Sequence, residues 1–304
     1  MDKPDGVRDG SSMAVRTRRD GGRGAGGDGG AARGSRGDPD QAGAVLYGWH
    51  PVVEALRNPA RTSRRLLATA NAARRLEDEV GPLAPEPTIV RTDEITRLLG
   101  PDALHQGLYL ETDALPTLDL DALPDDALLL ALDQVTDPHN VGAIVRTAAA
   151  FGATGIITTA RHSPAFTGVL AKAASGGLEH VPLVVVRNLG DALLALGERG
   201  VRRIGLDSDG SVPLTEIRGQ APTVLVLGAE GRGLRQRTRA CCDVVVRLDL
   251  PGAIRSLNVS NAAAIALYAL AAGRDQGRAE IAPTRPSAAT ARPITRTPDD
   301  GVPR

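Results

Sequence analysis

From Ala127 onward, short continuous apolar runs alternate with segments of helical period. Strand-like runs fall at Leu128–Leu132, Gly155–Thr158, Val181–Val186, Arg203–Leu206, Thr223–Leu227 and Val244–Leu248. Helical segments stand among them at Asn140–Phe151, Thr167–Ala174, Leu189–Gly197 and Val259–Ala272. A run with no alternating polar position is a strand buried on both faces, and the intervening helices supply the crossovers. The pattern therefore predicts an α/β fold, a mainly parallel sheet with helices on both faces. On such sheets ligands sit beyond the carboxyl ends of the strands.

A smaller α/β unit precedes it over residues 44–113. Val45–Tyr47 reads as a strand, Pro51–Leu56 opens a helix with Pro in its favoured first turn, Arg65–Ala68 is a strand, Asn71–Val80 a helix and Gly107–Glu111 a strand. Residues 114–126, where Asp, Leu and Pro alternate from Pro116 to Asp126, read as a linker to a second unit over 127–275. Residues 1–43 mix Gly, Arg and Asp without period, and 276–304 are rich in Pro, Thr and Arg. Both predict disordered tails, because neither can bury enough apolar area to offset its ordering entropy. The first tail reads either as an Arg-Gly arm for RNA or as a solvated segment whose acids nearly cancel its arginines.

Composition narrows this picture. A hydrophobic content of 42% supports a core, and with aromatics at only 2% that core must be Ala, Val, Leu and Ile. The formal net charge is zero, so RNA contact would have to come from local arginines rather than from a global field. Arg57, Arg61, Arg64, Arg65, Arg74 and Arg75 form one such group in the small unit, with a solvated helix face as the alternative. Cys241 and Cys242 are adjacent and poorly placed to staple distant segments, which fits a reducing compartment. The N-terminus lacks the apolar stretch of a signal peptide, and the apolar run Ala262–Ala272 is shorter than the ~18–20 residues that span a bilayer. The expectation is a cytoplasmic protein without membrane segments.

Three segments carry the chemistry. The first, Asp133-Gln134-Val135-Thr136-Asp137-Pro138-His139-Asn140-Val141-Gly142-Ala143-Ile144-Val145-Arg146-Thr147, leaves a strand and opens a helix. Gly142 lets another backbone approach, and Asn140 and Arg146 lie well apart around the helix. Taken alone, Asn140 reads equally as a cap and Arg146 as a surface residue. The second, Val224-Leu225-Val226-Leu227-Gly228-Ala229-Glu230-Gly231-Arg232-Gly233-Leu234, runs a buried strand into a glycine-rich turn holding one acid, which can cradle a ligand with backbone groups. It lacks the Gly-x-Gly-x-x-Gly spacing of dinucleotide folds. The third, Leu248-Asp249-Leu250-Pro251-Gly252-Ala253-Ile254-Arg255-Ser256-Leu257-Asn258-Val259-Ser260-Asn261, is a loop entering an Ala-rich helix, with more polar groups than capping requires.

The succession Asn-x-Gly-x-x-x-Arg, Leu-Gly-Ala-Glu-Gly-x-Gly and Ser-Leu-Asn-Val-Ser-x-Ala resembles the three signature motifs of the SpoU (TrmH) family of RNA ribose 2′-O-methyltransferases, over roughly Ala127 to Gly273. The small unit, with Tyr47-Gly48-x-His50-Pro51-Val52 and His105-Gln106-Gly107, is similar to the family's RNA-binding domain, and the subgroup most alike methylates a guanosine of bacterial large-subunit ribosomal RNA. The resemblance implies a SPOUT-type sheet with a C-terminal trefoil knot, a homodimer, S-adenosylmethionine as donor and no metal. It implies donor binding by Leu227, Gly228, Leu248 and Leu257. It implies chemistry by Arg146, oriented by Asn140 and Glu230, with Asn258 positioning the ribose or the methionine part. A guanidinium has no acceptor and a pKa above ~12, so Arg146 is expected to stabilise alkoxide character and hold the RNA, not to act as a base. Two alternatives stand beside ribosomal RNA: a transfer-RNA methyltransferase of the same family, and an inactive RNA-binding or ribosome-assembly protein. The loop Asp249-Leu250-Pro251-Gly252 departs slightly from the family's apolar-Pro-x-x-Gly arrangement.

Overall fold

A computed structural model describes residues 43–161, 167–217 and 222–278, with side chains up to residue 271. The tail expected over 1–43 lies, apart from Gly43, outside the described residues, as does the second tail from 279 onward.

The first sheet is built from β1 (Ala44–Tyr47), β2 (Ser63–Ala68), β3 (Thr88–Ile89) and β4 (Leu108–Thr112), in the order β1-β4-β2-β3. β4 runs antiparallel to β1 and β2, and β2 pairs parallel with β3. Helices α1 (Trp49–Arg57) and α2 (Ala70–Val80) cover one face, burying Val52, Val53, Ala73 and Leu76 against Leu46, Leu66, Leu108 and Leu110. Helix α3 (Thr92–Leu99) covers the other through Ile95, which packs on Leu67 and Tyr109.

The second sheet contains β5 (Leu128–Asp133), β6 (Gly155–Thr159), β7 (Leu183–Val186), β8 (Arg202–Leu206), β9 (Val212–Pro213), β10 (Thr223–Gly228) and β11 (Val244–Arg247). Their order is β7-β6-β5-β10-β8-β11-β9, and the paired strands all run parallel. The period of two along each strand decides what it touches. Leu128, Leu130, Leu132, Leu225 and Leu227 face a core shared with α4 (Pro138–Ala150), α5 (Gly168–Ala174) and α8 (Val259–Arg278). Leu129, Ala131, Val224 and Val226 face the opposite core, with α6 (Leu189–Glu198), Leu234 and Cys241, the residue that ends α7 (Gln236–Ala240). Each such fully buried aliphatic side chain is worth about 1.5–3 kcal/mol in removal from water, which makes this double-faced core the main source of stability.

The mainly parallel sheet with helices on both faces and the smaller α/β unit ahead of it are therefore as the sequence predicts. Four elements go beyond that reading: β3, β9, α3 and α7 are short or mostly polar, so no apolar period marks them. Helix α8 also continues to Arg278, past the expected boundary at 275. The segment read as a linker is tied down. Leu118 N–H donates to Leu183 O at 2.9 Å, Leu123 is buried, and the Arg199 guanidinium donates to Leu120 O at 3.0 Å.

Helices α4 and α5 cross at Gly142. A Cβ there would lie 2.5 Å from Ala173 Cβ and 2.7 Å from Leu170 O, so only glycine admits the approach. The two sheets meet through α5 and the turn after it. Arg61 donates to both oxygens of Glu179, and these side chains are each only 3% exposed. Lys172 Nζ, half-buried, donates to Gln106 Oε1 at 3.0 Å, and that oxygen also accepts from Trp49 N–H at 2.9 Å.

Candidate active site

The three chemistry-bearing segments converge at the carboxyl edge of the second sheet. β5 and β10 are neighbours in parallel register, with Gly228 opposite Asp133, so the first two segments leave the sheet side by side. Asp137 caps α4 by accepting from His139 N–H at 3.0 Å, with Pro138 in the first turn, and this places Asn140 near the helix start, 8% exposed. After β10 the chain turns back on itself: Gly233 N–H donates to Ala229 O at 2.9 Å. Gly231 and Gly233 have φ of 74° and 64°, and a Cβ on Gly228 would lie 2.2 Å from the Gly233 carbonyl carbon. Gly228 is required because the turn closes on its own backbone, and Gly231 and Gly233 because their positive φ favours glycine.

That turn aims Glu230 at the starts of two helices. Glu230 Oε1 accepts from Asn140 Nδ2 at 2.9 Å, from Asn258 Nδ2 at 2.6 Å and from Val259 N–H at 3.4 Å. Asn258 Nδ2 donates as well to Asn140 Oδ1 at 2.8 Å, and its own Oδ1 accepts from Ser260 N–H at 2.8 Å, capping α8. A carboxylate at the N-termini of α4 and α8 is favoured by both helix dipoles as well as by its charge-assisted hydrogen bonds. Residues distant in the chain thus form one polar cluster, with the acid from the second segment and one amide each from the first and third.

Arg146 stands apart from the cluster. It is exposed, six residues along α4 from Asn140, and it makes no ion pair or hydrogen bond with any described side chain. Within one subunit, Asn140 and Glu230 do not reach Arg146. Six helical positions turn Arg146 well away from Asn140, and both proposed partners are occupied by each other and by Asn258.

The four residues expected to hold the donor lie at or beyond the ends of β10 and β11. Leu227 and Gly228 are buried at the end of β10, Leu248 is half-buried just past β11, and Leu257 is exposed at the end of the following loop. Residues 250–257 of that loop are almost all exposed and form no hydrogen bond with any described residue. Their unpaired backbone groups and the exposed side chains of Ile254 and Leu257 fit an adenosine-like group, which needs edge hydrogen bonds and apolar walls. Among the described residues no group of His, Cys, Asp and Glu could hold a metal ion. Burial and the neighbouring Cys241 push the Cys242 thiol up to about 12, so Cys242 offers no reactive thiolate.

The arginine group expected to bind RNA in the small unit is largely committed. Arg61 is locked on Glu179, Arg64 pairs with Asp113, Arg65 with Glu111, and Arg57 with Glu54 and Glu79. Arg74 bonds Asn71, and Arg75 stacks 3.6 Å above the Trp49 ring. Apart from Glu54, on the same helix as Arg57, the acids that pair with these arginines lie on other elements, and sequence proximity of the arginines alone conceals this.

Fold and site together define an α/β protein with a polar cluster beside an open loop at a sheet's carboxyl edge and an appended small sheet. Residues 127–268 match the SpoU rRNA methylase family, and residues 45–118 match the substrate-binding domain of RNA 2′-O ribose methyltransferases. The chain is 38% identical over 247 residues to the 23S rRNA (guanosine-2′-O-)-methyltransferase RlmB of Burkholderia sp, which covers 74% of this chain and 94% of that protein. It is 36% identical over 243 residues to an uncharacterized tRNA/rRNA methyltransferase of Mycobacterium sp. (strain KMS), covering 76% of each. The SpoU methyltransferase AviRb from Streptomyces viridochromogenes, solved in complex with AdoMet, superposes with a TM-score of 0.66 at 26% identity, over 76% of this chain and 90% of that one. The chain belongs to the SpoU rRNA methylase family. It is an RNA 2′-O-ribose methyltransferase that uses S-adenosylmethionine.

Proposed function

We propose that the chain methylates the ribose 2′-OH of a guanosine in large-subunit ribosomal RNA, and that it does so as a cytoplasmic homodimer. The observation that carries the reading is the Glu230 carboxylate, which joins Asn140 and Asn258 beside a loop whose backbone groups are free. The likeness to an enzyme of that specificity over most of both chains supports the target.

S-adenosylmethionine supplies a methyl group on a cationic sulfur, which departs as a neutral thioether. The harder part is the nucleophile, because a ribose hydroxyl is almost fully protonated near neutrality. Arg146, exposed and unpaired, donates hydrogen bonds to the oxygen as negative charge develops there, and the proton passes to water. Asn258, fixed by Glu230 and Asn140, positions the ribose or the methionine part. Leu227, Gly228, Leu248 and Leu257 enclose the donor with backbone acceptors and apolar walls.

A second copy supplies the rest. Ile265 and Tyr268 are 45% and 67% exposed on one face of α8, Tyr268 stacks edge-on with Phe151 at the end of α4, and Arg146 lies on that same helix. An exposed apolar stripe of this kind is suited to burial against its own symmetry mate, which would bring one subunit's Arg146 to its partner's cradle.

The test is transfer of labelled methyl from S-adenosylmethionine to ribosomal and transfer RNA lacking the modification, followed by nuclease digestion. The expected product is 2′-O-methylguanosine in large-subunit RNA. Label in transfer RNA alone would favour the second reading, which the tRNA/rRNA designation of the mycobacterial relative keeps open. Absence of transfer to either would leave an RNA-binding protein without activity.

A further inference from the structure

On the α6 and α7 side of the second sheet, behind the polar cluster, lies a cavity of about 260 Å³. It is lined by Arg187, Asn188, Leu189, Gly190, Arg235, Arg237 and Thr238. Three of the seven are arginines and none is an acid, so the lining is dominated by donors. Asn188 spends its side-chain oxygen on Gly190 N–H at 3.0 Å and on Asp191 N–H, which leaves its amide NH₂ as the part still available.

The three guanidinium groups are in different states. Arg187, exposed just beyond β7, has no hydrogen bond or ion pair with any described residue. Arg235 is anchored: its backbone N–H and Nε both donate, at 3.0 and 2.6 Å, to the fully buried Asp133 carboxylate, while its terminal nitrogens make no bond. Arg237 pairs through one nitrogen with Asp191 at 2.7 Å, but both side chains are well exposed, a pairing worth little. Asp133 lies opposite Gly228 in the strand register, so Arg235 ties this cavity to the glycine-rich turn of the active site.

The surroundings have the same character. β6, β7, β10 and β11 all run parallel, and each is followed by an arginine without a side-chain partner among the described residues: Arg161, Arg187, Arg232 and Arg255. Of the acids on this side, Asp133 pairs with Arg235, Asp207 with Arg239 and Asp191 with Arg237, while the exposed Asp137 and Asp209, after β5 and β8, have no ion pair among the described residues. A neutral chain thus presents free cations along one edge.

We propose that the Arg187/Arg235/Arg237 cavity is a phosphodiester-binding site, which grips the RNA backbone at a nucleotide away from the one being methylated. Planar guanidinium forks match a phosphate's paired oxygens, and anchoring Arg235 on a buried acid removes much of the entropy cost of binding. The site has no role in the chemistry. It sets RNA affinity and register, and it rests on the reading of the chain as an RNA methyltransferase.

The test uses the full chain and an in vitro transcript of large-subunit ribosomal RNA, with affinity measured by filter binding across a salt series. Arg187→Ala/Arg237→Ala should weaken binding about tenfold near physiological salt and lower the slope of log affinity against log salt by about 1. It should raise KM for RNA at unchanged kcat and leave affinity for S-adenosylhomocysteine as in the wild type, which also reports that the variant folds. Arg64→Ala/Arg65→Ala, which removes committed cations, should stay within about twofold of the wild type. Wild-type-like affinity and slope in the first variant would overturn the proposal. So would a fall in oligomeric mass with RNA affinity kept, since the cavity would then serve a protein contact. If the wild-type chain itself binds no RNA while still binding S-adenosylhomocysteine, the reading beneath the proposal fails, and the proposal with it.

Discussion

The small sheet and the seven-stranded sheet both carry many arginines, but the first pairs most of them with acids and the second leaves several free. In the small sheet Arg57, Arg61, Arg64 and Arg65 each face a carboxylate, whereas Arg161, Arg187, Arg232 and Arg255 follow the strand ends of the large sheet without one. A phosphate approaching a paired arginine meets the neighbouring acid as well, so pairing, not count, decides where RNA is attracted. The lesson extends to the whole molecule. A formal net charge of zero is compatible with unpaired arginines gathered along one edge.

The largest effect expected of any single change tests the pairing itself. Arg61→Ala strands Glu179 in a buried setting and should cost about 3–5 kcal/mol in urea denaturation, whereas Arg64→Ala, at an exposed pair, should leave the urea midpoint nearly unchanged. Equal costs would erase the distinction between locked and merely neighbouring arginines. Next comes the free arginine nearest the chemistry. Arg146→Ala should lower kcat by about 10²–10³-fold while donor affinity stays within about twofold, read from single-turnover methyl transfer and calorimetry. Parallel loss of donor affinity would move Arg146 out of catalysis and into donor binding.

Smaller effects concern the frame that holds the edge together. Gly142→Ala presses a methyl into α5 and should destabilise the second sheet by about 1–3 kcal/mol, with the thermal midpoint as readout. A neutral outcome would mean that the crossing relaxes freely. The smallest expected effect is a pH dependence confined to the first sheet. His105 Nδ1 accepts from Gly107 N–H at 3.1 Å, and Thr96 Oγ1, which donates to Thr92 O, accepts from His105 Nε2 at 3.0 Å. The Gly107 bond needs a neutral ring, because a protonated Nδ1 cannot accept, and burial holds the ring's pKa below the ordinary 6.5. As pH falls the unfolded chain takes up the proton first. Stability is therefore complete above about 6.5 and declines below it, by about 1 kcal/mol for the bond lost. Thermal midpoints of wild type and His105→Asn should converge on acidification, and parallel curves would remove His105 as the cause.

Much of this architecture was legible in the residues because its parts are governed by local rules. The strands of the second sheet are continuous apolar runs, and Gly142 was identifiable as a point of close approach. What stayed hidden depends on partners far away in the chain. Helix α3 buries only Ile95 and so shows no apolar face, and α7 is Gln-Arg-Thr-Arg-Ala. The commitment of Arg61 to Glu179, across 118 residues, has no local signature. Asn140, Glu230 and Asn258 were found through their motifs, but that they bond one another and not Arg146 follows from tertiary geometry, in which each amide has a nearer acceptor.

The central claim is that the turn 228–233 and the loop 250–257, joined through Glu230 and Asn258, form one cradle for the methyl donor. Hydrogen exchange of the full chain with and without S-adenosylhomocysteine measures this directly. The account predicts slower exchange in both segments together, with the strand Leu108–Thr112 unchanged. Protection confined to one segment, or located on the small sheet, would contradict it.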